Sequence, residues 1–303
     1  MQPLLILTAL GISLALSLLP AQAGPLRDWI AEKQAARHAE TSHRAPEEIA
    51  YGPDPRQRFD LYRPTAQPVA DLAPVIFMVH GGGWRLGDKA MGRVVDNKVA
   101  RWLPKGFVLI STNYRLLPEA TPLEQARDIA RALAMAQTQA EHWGADRRRF
   151  ILMGHSAGAH LISLLNARPD LIAPGTTPWL GSVALDSAAF DVTAIMQARH
   201  LSLYDEAFGQ DPKQWRALSP LHQLERAAPP LLAVCSSRRA DACPQAKGFA
   251  AKAAQLGMTC EVLEKDLSHA EINQQLGEEP RYTAEVEAFL RRLDPQIDRR
   301  LQP

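Results

Sequence analysis

The sequence predicts an α/β fold, a mostly parallel central sheet with helices on both faces, and two observations carry that expectation. Apolar runs of strand length, such as Val75-Ile76-Phe77-Met78-Val79 and Leu231-Leu232-Ala233-Val234-Cys235, alternate with helical patterns along most of the chain, the alternation from which parallel sheets are built. In addition, Gly154-His155-Ser156-Ala157-Gly158 lies between one such run, Phe150-Ile151-Leu152-Met153, and the apolar helical stretch Ala159 to Leu165. With 303 residues, 46% hydrophobic and 22% charged, the chain has apolar material for one large core. A formal net charge of +1 gives no imbalance that would point to nucleic acid or an anionic membrane.

The elements follow in order. Leu4 to Leu19 is almost wholly apolar, short for a membrane span, and Pro20-Ala21-Gln22-Ala23 ends in an A-x-A cleavage pattern. Residues 1–23 therefore read as a signal peptide, although no Lys or Arg precedes the apolar run, and an uncleaved anchor stays open. No cysteine follows that run to carry a lipid anchor, so residues 24–303 are expected as a single exported domain, periplasmic or secreted, without stable membrane insertion once the signal is removed. A polar helix is expected from Leu26 to about Ala39, then two short strands between Ile49 and Pro64, separated by the turn cluster Gly52-Pro53-Asp54-Pro55. Ala126, Ile129, Ala130 and Leu133 share one helical face, as do Ala246, Phe249, Ala250 and Ala253, with Gly257 as a helix stop. Tyr282, Val286, Phe289, Leu290 and Leu293 mark a closing amphipathic helix, and the chain beyond Asp294 reads as a loose polar tail. Arg147-Arg148-Arg149 reads as a solvated strand entrance rather than a phosphate site.

The serine pentapeptide has a chemical reading. A lone serine hydroxyl is a weak nucleophile near neutral pH, and a sharp strand-to-helix turn lifts its oxygen to where a histidine reaches it. Upstream, His80-Gly81-Gly82-Gly83-Trp84 follows the strand-like run ending at Val79. A glycine run turns consecutive N–H groups toward one point, and each such donor aimed at a developing oxyanion is worth about 3 kcal/mol. Metal chemistry has little support, since His155 and His160 stand five apart and do not share a helical face in the H-E-x-x-H manner. No phosphate-loop or dinucleotide fingerprint is present, so no cofactor is expected.

With these motifs in hand, the chain from about Ile49 to Leu290 resembles the α/β-hydrolases of the hormone-sensitive-lipase and esterase type. Their oxyanion loop reads H-G-G-G, and Tyr114-Arg115-Leu116-Leu117-Pro118-Glu119 resembles their Y-R-L-x-P-E segment. The resemblance implies an α/β-hydrolase fold, oxyanion roles for the N–H groups of Gly82, Gly83 and Ala157, and the order nucleophile, acid, histidine. It also implies that Phe190 to Leu224, apolar but without a sheet pattern, forms part of a lid; a packed surface excursion is the alternative. Asp241, in the loop after Leu231–Cys235, is then the expected acid, and His269, after Cys260-Glu261-Val262-Leu263-Glu264, the expected base. Asp266 sits too near His269, and Asp186 and Asp191 follow an earlier strand. A carboxylic ester of short or compact acyl group is the expected small-molecule substrate, with Ser156 as nucleophile.

Rival readings are an amide hydrolase, because Gly154 to Leu161 also resembles the serine motif of kynurenine formamidases; a polyester or feruloyl esterase; and a non-catalytic binding protein of the same fold. Export would place the three cysteines in an oxidising compartment. A Cys235–Cys243 bridge would close a short loop around the expected acid, leaving Cys260 free at the other end of its strand.

Overall fold

The computed structural model describes residues 45–65 and 71–302. The expected signal peptide and the expected helix at Leu26 to Ala39 lie outside the described residues. Side-chain alternation along each strand sets the layers. In β3 (Ala73–Val79), Val75, Phe77 and Val79 point to one face, where they meet Val108 and Ile110 of β4 (Val108–Thr112) and Phe150 and Leu152 of β5 (Ala145–His155). That face is covered by α2 (Pro122–Gln139) through Ala126, Ile129 and Leu133, and by α3 (Ala157–Ala167) through Leu161 and Leu164. Ile76 and Met78 point the other way, toward α1 (Gly92–Trp102), α10 (Pro280–Leu293) and α11 (Pro295–Leu301). A sheet buried on both faces reads as continuous apolar runs, which is why these strands were legible.

Among the described residues the sheet has eight strands, ordered β1-β2-β4-β3-β5-β6-β7-β8. β1 (Glu47–Ala50) and β2 (Arg58–Tyr62) are antiparallel, flank the expected turn cluster and join β4 at one edge. All pairings from β4 through β6 (Gly181–Leu185) and β7 (Leu231–Ser236) to β8 (Cys260–Lys265) are parallel. The loops after β3, β5, β6, β7 and β8 therefore leave the same end of the sheet, where ligands bind in open α/β folds. This is the fold class the sequence predicts.

The C-terminal expectation needs correction. Residues after Asp294 form α11 rather than a loose tail: Asp294 accepts hydrogen bonds from the N–H groups of Gln296 and Ile297, and Ile297 and Leu301, four apart, are buried. Of the arginine run, Arg147 and Arg148 are exposed as expected, whereas Arg149 pairs with Asp146 at 2.5 Å and with Asp294 at 3.3 Å.

The Tyr114–Glu119 segment anchors the fold around a fully buried carboxylate. Asp128 of α2 accepts from Arg115 Nε at 2.8 Å and Nη2 at 2.9 Å, from Gln57 Nε2 at 3.0 Å and from Arg131. Burial pulls its pKa up, but these donors outweigh burial and hold it below the ordinary carboxylate range. Removing the carboxylate leaves Gln57, buried, and Arg115, mostly buried, without their shared acceptor. Asp128→Ala is expected to lower unfolding free energy by about 3–5 kcal/mol, measured as a drop in the urea midpoint.

Candidate active site

β5 ends at His155 and α3 begins at Ala157, so Ser156 alone turns the chain, with φ 56° and ψ −118°. A non-glycine residue keeps such a backbone only where its surroundings enforce it. The flanking glycines let those surroundings close in: a Cβ on Gly158 would stand 2.3 Å from Val79 O, and one on Gly154 would stand 2.5 Å from Gly158 O. The Ser156 N–H donates to Leu185 O at 2.9 Å, fixing the turn to β6.

His269 opens α9 (His269–Gln274), whose preceding Ser268 and following Glu271 form a reciprocal capping box. Its Nε2 lies 3.0 Å from Ser156 Oγ and its Nδ1 lies 2.6 Å from Asp186 Oδ2. With Nδ1–H donating to the carboxylate, Nε2 is left as the acceptor for the serine hydroxyl. The His155 ring, 4.5 Å from that of His269, donates from Nε2 to the His269 carbonyl at 2.9 Å and holds the start of α9.

The structure does not bring Asp241, the expected acid, to His269. Asp241, half-exposed, reaches only as far as Arg239 Nη2 at 3.3 Å, and Asp266 pairs with Arg238 at 2.7 Å. Asp186, wholly buried at the end of β6, meets His269 instead. β6 lies directly beside the serine strand, whereas the loop after β7 is folded back so that Arg239, rather than Asp241, points at His269. Asp186 Oδ1 accepts the Ser236 N–H at 2.7 Å, and Oδ2 also accepts Arg239 Nη1 at 2.8 Å. Burial raises its pKa, and the bonds from His269, Arg239 and Ser236 outweigh burial and leave it lowered. The available signal was the apolar run Gly181 to Leu185 ending in an aspartate. Asp191, by contrast, caps α4 (Val192–Gln197) and faces His222.

Gly82, Gly83 and Ala157 line the same cavity as Ser156. Ala157 opens α3, where the first N–H groups have no acceptor within the helix. The glycine loop has φ values of 129° and 60° at Gly82 and Gly83, and Trp84 also lies at φ 60°. Trp84 is held in that backbone by three bonds: its carbonyl accepts from Leu117 N–H at 3.0 Å and Gln125 Nε2 at 2.8 Å, and its indole donates to His160 Nδ1 at 3.1 Å. His160 passes the connection on, donating from Nε2 to Leu218 O at 2.8 Å.

Phe190 to Leu224 comprises α4, α5 (Ser202–Phe208), α6 (Pro212–Ala217) and α7 (Pro220–Gln223). Phe190, Val192, Phe208, Leu218 and Leu224 belong to the core, while Leu201, Leu203 and Tyr204 line the cavity. The segment thus packs on the core through these residues and lends one wall to the cavity. The cavity is about 560 Å³, with Arg93, Asn273 and Gln274 on its opposite side. Among the described residues no group of His, Cys, Asp and Glu could hold a metal ion, and no helix is long and apolar enough to cross a membrane.

Cys235, at the end of β7, is bonded to Cys243 in α8 (Ala242–Gln255), with Cα atoms 5.1 Å apart. Cys260 is free at the start of β8, and burial pushes its thiol up to about 12.

Three imidazoles around the site, two of them fully buried, are held in neutral form. Desolvation pushes His80 and His160 down to about 4 and His155 down to about 3. Their folded pKa values lie below the unfolded value, so the stability they permit is full above about pH 6.5 and is lost as pH falls, because the unfolded chain binds the proton first. The urea midpoint is expected to fall between about pH 6.5 and pH 4, and His160→Gln to flatten part of that slope.

The chain is similar to known proteins in sequence and in fold. The family model BD-FAE matches residues 59–171. The esterase LipC of Mycobacterium tuberculosis is 29% identical over 219 residues, covering 67% of this chain and 53% of LipC. A probable isoprenylcysteine alpha-carbonyl methylesterase of Arabidopsis thaliana is 36% identical over 116 residues, covering 38% of this chain and 26% of that protein. The chain thus spans about half or less of these relatives' length. Among solved structures, Thermogutta terrifontis esterase 2 phosphonylated by sarin superposes with a TM-score of 0.69 at 19% identity, covering 84% of this chain and 97% of that one.

Proposed function

We infer that this chain, an α/β-hydrolase by fold, is a serine hydrolase that cleaves a carboxylic ester of short or compact acyl group through an acyl-enzyme. The observation that carries the reading is the continuous chain Ser156 Oγ, His269, Asp186, with links of 3.0 and 2.6 Å, opening on a cavity of about 560 Å³. Ser156 Oγ attacks the ester carbonyl while His269 Nε2 takes the hydroxyl proton. Asp186 holds Nδ1–H and stabilises the imidazolium. The N–H groups of Gly82, Gly83 and Ala157 receive the oxyanion. The imidazolium returns the proton to the departing alcohol, leaving Ser156 acylated, and water then repeats the sequence to release the acid.

The esterase names of the sequence relatives support the ester over the amide reading. Leu201, Leu203 and Tyr204 on one wall of the cavity give an acyl group an apolar surface to meet. Export is part of the proposal: it rests on the apolar leader pattern of Leu4 to Ala23, and the Cys235–Cys243 bridge supports it.

Ser156→Ala is expected to cut hydrolysis of p-nitrophenyl butyrate by about 10⁴-fold or more and to abolish labelling by a fluorophosphonate. Asp186→Asn is expected to cost about 10⁴-fold, whereas Asp241→Asn stays within about tenfold of the parent protein, as expected of an exposed ion-pair residue. Equal losses at both aspartates would return the acid to question. A palmitoyl ester turned over faster than a butyryl ester would refute the compact-acyl assignment.

A further inference from the structure

The loop between β7 and α8 holds a group that the triad does not need for its proton transfers. Arg239 Nη1 lies 2.8 Å from Asp186 Oδ2, 3.3 Å from the Asp186 carbonyl and 3.0 Å from His269 Nδ1. Two cationic or proton-bearing donors, Arg239 Nη1 and His269 Nδ1, thus converge on one carboxylate oxygen. Arg239 itself is mostly buried, and its Nη2 reaches Asp241 Oδ2 at 3.3 Å. Both ends of the loop are tied by the Cys235–Cys243 bond, eight positions apart in sequence. Arg239 reaches the site from a loop whose two ends cannot separate.

We propose that Arg239 is a positioning residue: the disulfide-closed loop holds its guanidinium against Asp186 and so fixes the carboxylate on His269. The proposal rests on Ser156, His269 and Asp186 acting as the triad. A carboxylate oxygen held from a second direction loses the freedom to rotate away from Nδ1. The other groups around His269 are uncharged or turned to other partners. His155 from β5 is neutral, Tyr204 from α5 is an un-ionised phenol raised by burial, and Lys98 from α1 lies beyond His155 with its ammonium on Asn273. Glu271 on the same helix is turned to Arg238, and Asp241 lies on the far side of Arg239.

The test compares the parent protein with Arg239→Gln and Arg239→Lys, in steady-state kinetics and in fluorophosphonate labelling of Ser156. Arg239→Gln is expected to lower kcat by about 10–100-fold, the scale of a misplacement near 1 Å, with KM nearly unchanged. Arg239→Lys, which keeps a cationic donor toward Asp186, is expected to recover part of kcat with KM unchanged; it also guards against a Gln variant that fails to fold. Reducing the disulfide of the parent protein is expected to lower kcat in the same direction as Arg239→Gln. Unchanged kcat in Arg239→Gln, or a change in KM alone, would overturn the proposal while labelling of Ser156 leaves the triad standing. A parent protein that takes no label at Ser156 would overturn both.

Discussion

The corner at Ser156 is the constraint on which the rest depends. A strand buried on both faces runs directly into a buried helix, and one residue at φ 56° makes the turn. The strain is borne by the close approach of Val79, Gly154 and Gly158 backbones and by the hydrogen bond from Ser156 N–H to Leu185. Because β3, β5 and β6 are adjacent and parallel, fixing this corner also fixes the ends of its two neighbours. The glycine loop leaves β3 and Asp186 leaves β6, so each flanks the serine from its own side.

Around that corner the polar groups form two linked sets. One runs from the Trp84 indole through His160 to the Leu218 carbonyl, and so joins the glycine loop to the insertion through a neutral imidazole whose two nitrogens have opposite roles. The other runs from Ser156 through His269 to Asp186, Ser236 and Arg239. The first set is fully buried and holds shape; the second opens on the cavity. Desolvation keeps His80, His155 and His160 uncharged.

The disulfide has a different meaning in the structure from the one its spacing suggested. Cys235 and Cys243 do close the loop after β7, but the residue this loop delivers to the site is a cation, not the acid. A loop eight residues across has few ways to fold, and in this one Arg239 takes the inward position while Asp241 faces solvent.

The sequence by itself determined the parallel sheet, the two glycine motifs, Ser156 and His269, because each is written in local order: apolar runs of strand length, glycines at fixed offsets, a histidine following the last strand. The amphipathic faces of α2 and α10 were legible for the same reason. Two features were not. The segment after Asp294 reads as polar by composition, yet two apolar residues a turn apart were enough to dock it as α11 on a surface that only the folded sheet provides. The acid was the other: Asp186, Asp191, Asp241 and Asp266 all follow strands or sit in loops of suitable order, and chain order does not say which loop bends inward. That was decided by strand adjacency and by the donors that only the tertiary structure gathers, since a buried carboxylate stays charged only where Ser236, Arg239 and His269 converge to receive it.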